Sequence, residues 1–418
     1  MSDLASIRHT VDHLFRHEAG KMTAVLTRLL GLEQLETAQD IVQDTLLQAM
    51  TTWSFSSIPD NPGAWLYRVA KNKALDHLRR EKRYREIIPQ YDYLIKSEYA
   101  LKQTINNFFL ENEIPDSQLR MMFACCHPCI PMDSQIALTL KALCGLSVGE
   151  ISRAYLATEE TITKRIFRAK EKIRLEKIDL EVPLSNELPK RVDAVLKCLY
   201  LLFNEGYNSS QPDHLIREDL CSEALRLCYL LSEHSLTRCS RVDALLALMC
   251  FQSSRLNARL DDKGNIILLK YQDRSRWNHD LIKKGYHYID RAAMDPVIGS
   301  YHLEAGIASL HAAAPSFEQT DWRSIYDLYE ILYKIEPGPF VALNKAIASA
   351  YAISKDRALE ELKQIKGLGN YHLYFASTGE ILFDQGKKAE ARQYFEKAAS
   401  LTSSQTEKQL LHDKAGLC

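Results

Sequence analysis

The chain has 418 residues, 46% of them hydrophobic, and a formal net charge of −1. At roughly 100 to 200 residues per domain this length excludes a single compact core, and the neutral balance excludes a uniformly basic surface, so any affinity for nucleic acid must come from local patches. Nowhere do 18 uncharged apolar residues occur together, and MSDLASIRHTVDHLF has no basic start leading into an apolar run, so neither a membrane span nor a secretion signal is expected.

Nearly every segment shows helical periodicity, which predicts an all-α protein with at most one hairpin, at Leu260 to Leu269 around Lys263-Gly264. In chain order, the first informative segment is Asp40 to Trp53. Ile41, Val42, Thr45, Leu46, Ala49 and Trp53 gather on one helical face, and Asp40, Gln43, Asp44 and Leu47 form the opposite stripe. An acidic stripe with an exposed leucine suits a helical partner, although an ordinary solvated face has the same composition.

The stretch from Asn61 to Arg85 follows, NPGAWLYRVAKNKALDHLRREKRYR. From Pro62 onward it holds eight Lys/Arg residues against Asp76 and Glu81, a local excess that reads as a footprint for a polyanion. Residues 86 to 113 are less periodic and read as a connector. Cys125, Cys126, His127 and Cys129 then form CCHPC. Zinc would need a second ligand pair, and a redox site a preceding strand, so these thiols read as structural, with no metal and no cofactor expected. The ten cysteines lie mostly in apolar helical patterns such as LRLCYLL, as reduced thiols of a cytoplasmic protein do.

Ser147 to Arg174 reads as a helix-turn-helix. SVGE has the capping-box pattern, a turn covers Tyr155 to Ala157, and Thr158 is an N-cap followed by Glu159 and Glu160 in the dipole-favoured first turn. In the second helix Ile162, Ile166, Ala169 and Ile173 form the buried stripe. Thr161, Lys164, Arg165, Arg168 and Lys172 form the other, which suits a helix laid in a major groove. Pro183 and Pro189 mark a linker. Beyond it, FNEGY (203–207) and QDRSRW (272–277) are polar and aromatic clusters that read as stitches between helices, with the lining of a pocket as the alternative. A period of 33 aligns Ile325, Ala358 and Ala391, then Tyr329, Leu362 and Phe395, then Leu332, Ile365 and Ala398. Small residues recur one helix earlier at Ala313, Ala346 and Gly379. This spacing resembles the tetratricopeptide helix pair.

Taken in order, DIVQD (40–44), AWLYRVAKNKALDHLRR (64–80) and GLSVGEISRAYLATEETITKRIFRAKEKIR (145–174) resemble the two regions of bacterial extracytoplasmic-function sigma factors. The remainder, with YLLFNEGY, QDRSRW and VALNKAIA, is similar to the long C-terminal extension of one subgroup, TPR-like from about residue 301. The resemblance implies sigma region 2 over 1–88, a linker over 89–114, region 4 over 115–182 and a helical extension over 183–418. It implies core RNA polymerase as partner, through the β′ clamp helices and the β flap, with Asp40, Gln43, Asp44 and Leu47 at the contact. It places Trp65, Arg68, Lys71, Asn72, Lys73, Arg79 and Arg80 at the −10 promoter element, where Asn72 reads a base. Thr161, Thr163, Lys164, Arg165, Arg168 and Lys170 approach the −35 element. No catalytic residue is implied, and the extension is expected to regulate, through a protein or small-molecule partner of its own. The alternative is a helix-turn-helix regulator whose repeats bind a peptide or ligand, for which the acidic DIVQD stripe would have no use.

Overall fold

Apolar residues recurring at three- and four-residue spacing leave each helix one face to bury, and helix-on-helix packing is the arrangement that satisfies them. The computed structural model describes residues 2–55, 58–84, 106–110, 113–154, 157–183, 187–208 and 216–418, with the backbone alone at 2–13, 16, 55, 81–84 and 153–154. Arg85, most of the connector, and Tyr155 and Leu156 of the expected turn lie outside the described residues. The protein is all-α, and its described residues divide into two compact units, 1–202 and 203–418.

The first unit contains α1 (Ser2–Leu30), α2 (Leu35–Phe55), α3 (Pro62–Tyr84), α4 (Glu113–Cys125), α5 (Met132–Ala142), α6 (Val148–Ala154), α7 (Glu159–Glu176) and most of α8 (Leu188–Tyr207). One core joins α1, α2 and α3 through residues such as Leu26, Val42, Trp53 and Leu66, and Phe109 from the end of the connector and Ile114 of α4 belong to the same core. Helix α3 starts as its sequence dictates. Asn61 Oδ1 accepts from Ala64 N at 3.0 Å, and Pro62 takes the first helical position, where a missing N–H costs nothing.

Close approach of α1 to the end of α5 needs a glycine. A Cβ added at Gly20 would lie 1.9 Å from the Leu143 carbonyl oxygen. Nearby, Glu18 is buried at the α1–α3 contact. Lys21 Nζ donates to its Oε1 at 3.0 Å, His17 Nδ1 lies 3.1 Å from the same oxygen, and Tyr67 Oη donates to Oε2. Burial alone would raise this carboxyl, but the hydrogen bonds from His17 and Tyr67 and the Lys21 charge outweigh it and bring it down to about 2. The stabilisation is therefore complete above the ordinary carboxyl range and disappears as pH falls through about 2. Glu18→Gln should cost about 1–3 kcal/mol at pH 7. In urea titrations across pH the gap to wild type should close below pH 4; a gap independent of pH would contradict this assignment.

The second unit continues with α9 (Glu218–Glu233), α10 (Ser240–Ser253), α11 (His279–Ala292), α12 (Ser300–Ala313), α13 (Trp322–Ile335), α14 (Pro339–Ala352), α15 (Lys355–Gln364), α16 (His372–Asp384), α17 (Lys388–Leu401) and α18 (Gln405–Gly416). FNEGY packs as expected of a stitch. A Cβ at Gly206 would meet Cys221 N at 2.7 Å, and the Arg259 guanidinium lies 3.9 Å over the Tyr207 ring. QDRSRW does likewise. Arg274 stacks over Trp277 at 4.8 Å and donates to the carbonyls of His311 and Ala314, closing the end of α12.

The expected hairpin reduces to one antiparallel bridge, Leu260 to Ile266. Asp261 Oδ1 accepts from both Lys263 N and Asn265 N at 2.8 Å, so a side chain closes the turn locally. The period-33 residues Ile325, Ala358, Ala391, Leu362, Phe395, Leu332 and Ala398 are buried, and successive helices share successive small cores. Ala346 and Gly379 are buried too, whereas Ala313 is exposed at the end of α12, so the first copy departs from the other two.

Candidate nucleic-acid interface

Helix α2 buries Ile41, Val42, Ala49 and Trp53 and turns Asp40, Gln43, Asp44 and Leu47 to solvent. Leu47 is 60% exposed, and Met50, which the sequence reading left out, is 58% exposed. A helix that keeps two large apolar side chains and two carboxylates on one open face has the composition of a contact surface. Met50 could have been found from its spacing, three residues past Leu47 and clear of the buried stripe.

On α3 the exposed residues Ala64, Arg68, Asn72, Asp76 and Arg80 recur every fourth position and form one ridge. Arg80 is steadied by donating Nε to the Asp76 carbonyl at 3.3 Å, and Arg79 pairs with the Asp76 carboxylate at 3.3 Å. Lys73 is half-buried beside the ridge. Trp65 is turned toward the core, with its ring centroid 5.4 Å from that of Trp53. Lys71 is also covered. Its Nζ lies 5.3 Å over the Phe109 ring, and burial pulls its ammonium below the ordinary lysine range. The ridge thus presents Arg68, Asn72 and Arg80 directly, while Trp65 and Lys71 are engaged by other side chains.

The local signals in α6 and α7 act as the sequence suggests. Ser147 N donates to Glu150 Oε2 at 2.7 Å and Glu150 N to Ser147 Oγ at 3.1 Å, a reciprocal cap, and Thr158 Oγ1 accepts from Thr161 N at 3.2 Å. Ile162, Ile166, Ala169 and Ile173 are buried, each isoleucine contributing about 1.5–3 kcal/mol of burial. Thr161, Thr163, Lys164 and Arg168 are exposed. Lys164 pairs with Glu160 at 2.6 Å, which an exposed pair gives up readily. Arg165 turns to Asp133 of α5 at 2.9 Å. Lys170 turns to α2, donating to Glu36 Oε1 at 3.3 Å and Gln39 Oε1 at 3.0 Å. Two residues of the expected −35 set, Arg165 and Lys170, are therefore held by partners on other helices.

In CCHPC, Cys125 and Cys126 are buried, and His127 Nδ1 lies 3.0 Å from the half-buried Cys129 Sγ. Burial pushes the Cys125 thiol well above its ordinary range and raises that of Cys129, the opposite of an activated thiolate. Among the described residues no group of three or more His, Cys, Asp or Glu side chains is placed to hold a metal ion, and no helix is long and apolar enough to cross a membrane.

Comparison with known proteins reaches the same segments. The sigma-70 region 2 family matches residues 14–84, which contain the α2 stripe and the α3 ridge. The ECF RNA polymerase sigma-E factor of Haemophilus influenzae is 31% identical over 162 residues, covering 37% of this chain and 79% of that protein. The chain belongs to the ECF RNA polymerase sigma factors. The sigma-E factor of Escherichia coli K12 is 31% identical over 138 residues, covering 32% of this chain and 70% of its own. This sigma factor is much longer than those relatives, and residues 191–293 match a family of unknown function, DUF6596. An uncharacterized protein of Rhizobium meliloti (strain 1021) is 34% identical over 376 residues, covering 89% of this chain and 88% of that one, and so shares the extension. No solved structure matches the chain.

Proposed function

We propose that this sigma factor docks on core RNA polymerase through the exposed face of α2, reads and holds the −10 element with the α3 ridge, and contacts the −35 element through α7. The observation that carries the reading is the pairing, inside the region 2 segment, of an acidic and apolar face on α2 with the open ridge of Arg68, Asn72 and Arg80 on α3. Melting a duplex requires groups that capture an unpaired base and cations that hold the flanking phosphates. Asn72 suits the first task, and Arg68, Arg79 and Arg80 the second. Thr161, Lys164 and Arg168 would reach into the groove at −35. The protein would act in the cytoplasm, without catalysis of its own.

The second unit would set sigma activity through a partner it binds. A cleft of about 430 Å³ lined by Tyr333, Pro339, Lys345, Glu361 and Lys366 offers space for one. Capture of core polymerase by the purified chain tests the docking. Removing the chain after Asn208 tests the regulation, because that cut retains α8, whose Arg191 donates to the Phe123 carbonyl at 3.5 Å. Unchanged promoter-specific transcription after the cut would remove the regulatory role.

A further inference from the structure

The cleft walled by α13, α14 and α15 in the second unit contains a carboxylate that is short of donors. Glu361 of α15 lines the cleft and is only 8% exposed, so water does little to solvate it. Its Oε1 accepts from Arg357 Nε at 3.1 Å and from the Tyr326 hydroxyl at 3.3 Å, but Oε2 is buried and has no partner among the described residues. The hydroxyl is a divided donor, because Glu330 Oε1 lies 3.2 Å away and competes for its one proton. Lys345 Nζ, another cation of the cleft, is drawn to Glu330 at 2.7 Å. A buried acceptor left without a donor is costly to the fold, and a ligand that supplies the donor recovers that cost.

The same cleft also holds unanswered positive charge. Lys366 lines it, is exposed, and has no carboxylate partner among the described residues. Gly338 and Pro339 line it too, and they are the N-cap and first residue of α14, which starts with no side-chain cap. A 14-residue helix that begins this way keeps the positive end of its dipole open to an anion. Tyr333, Pro337 and Ile365 add apolar surface. The volume of about 430 Å³ falls within the range of small-molecule pockets, about 300–1,000 Å³.

We propose that the cleft binds a small zwitterion, a free α-amino acid or a short peptide with apolar side chains; this rests on the regulatory reading of the second unit and names its ligand. The ammonium donates to Glu361 Oε2, and the carboxylate meets Lys366 and the start of α14. A simple cation would leave Lys366 and the helix start unanswered, and a simple anion would leave Oε2 without a donor. One molecule carrying both charges satisfies both. The bound ammonium completes a network that already joins three helices, since Tyr326 and Glu330 belong to α13, Lys345 to α14, and Arg357 and Glu361 to α15. Occupancy therefore ties these helices together and stabilises the second unit.

The test is calorimetric titration of the full chain with L-leucine, L-phenylalanine and L-leucyl-L-leucine. At least one should bind, and its N-acetyl and amide forms should each bind about tenfold or more weakly, because each loses one charge-assisted hydrogen bond. Tighter binding of a single amino acid than of the dipeptide assigns the site to free amino acids, and the reverse order assigns it to short peptides. Lys366→Glu changes an exposed side chain and should leave the fold intact. It should also erase the preference for a free carboxylate, so that the amide form binds no worse than its parent. Glu361→Gln should erase the preference for a free ammonium in the same way; if it fails to fold, the Lys366→Glu ratio alone decides. The proposal is overturned if none of the three probes binds, or if Lys366→Glu, folded by circular dichroism, keeps the wild-type preference. Binding that follows these ratios but leaves promoter-specific transcription unchanged would instead count against the regulatory reading of the second unit, while the site itself stands.

Discussion

Asp40→Lys/Asp44→Lys should abolish capture of core RNA polymerase and reduce promoter-specific transcription at least about a hundredfold. Both carboxylates are exposed on α2, beside Leu47 and Met50 and opposite the buried Ile41 and Val42. Reversing two charges at a complementary contact replaces attraction with repulsion, which costs several kcal/mol, and every ~1.4 kcal/mol is a factor of ten. The fold should be unaffected, because neither side chain is buried. Circular dichroism and the urea midpoint should match wild type within about 0.5 kcal/mol, the usual effect of a surface substitution. Wild-type capture of polymerase by the double variant would remove α2 as the docking face.

Two substitutions on the α3 ridge should separate reading from holding. Asn72→Ala removes an exposed amide that can meet a base edge, so it should change the preferred −10 base and cost about 1–3 kcal/mol at the matched sequence alone. Arg80→Ala removes a cation with no base to read. It should weaken binding by a similar factor on every sequence and lower the slope of log affinity against log salt by about one unit. Measured on a panel of −10 variants at several salt concentrations, the two should differ in kind. Equal, sequence-independent losses for both would show that Asn72 only helps to position the duplex.

The helical class and the local signals were legible in the sequence because they depend on neighbours a few residues apart. Ile162, Ile166, Ala169 and Ile173 are buried, and Ser147, Glu150 and Thr158 cap as their spacing suggests. What periodicity did not show is where a half-exposed side chain goes once helices pack. Lys170, which the resemblance alone placed among the groove-facing residues, turns instead to Glu36, 134 positions away. Trp65 lies four residues before Val69, a spacing that allows a core position beside Trp53, whereas nothing in the position of Lys71 showed that Phe109, from the end of the connector, would lie against it. The hairpin misled for a local reason, because Asp261 closes the turn with its own carboxylate and the flanking chain enters short 3-10 turns at Leu256–Ala258 and Leu269–Tyr271. Of the positions aligned at a period of 33, Ile325, Ala358 and Ala391 are all buried, whereas Tyr329 and Ile365 are only partly buried and Ala313 at the end of α12 is exposed, because periodicity fixes a place on a helix and not what packs against it.

Promoter reading by both α3 and α7 is tested most directly by a single measurement: transcription by purified core RNA polymerase from a randomised promoter library, with and without the full chain. The chain should enrich transcripts from templates sharing two short sequence elements about 25 base pairs apart, as expected of a factor that reads DNA with both α3 and α7. Transcripts no different from those of core polymerase alone would contradict it.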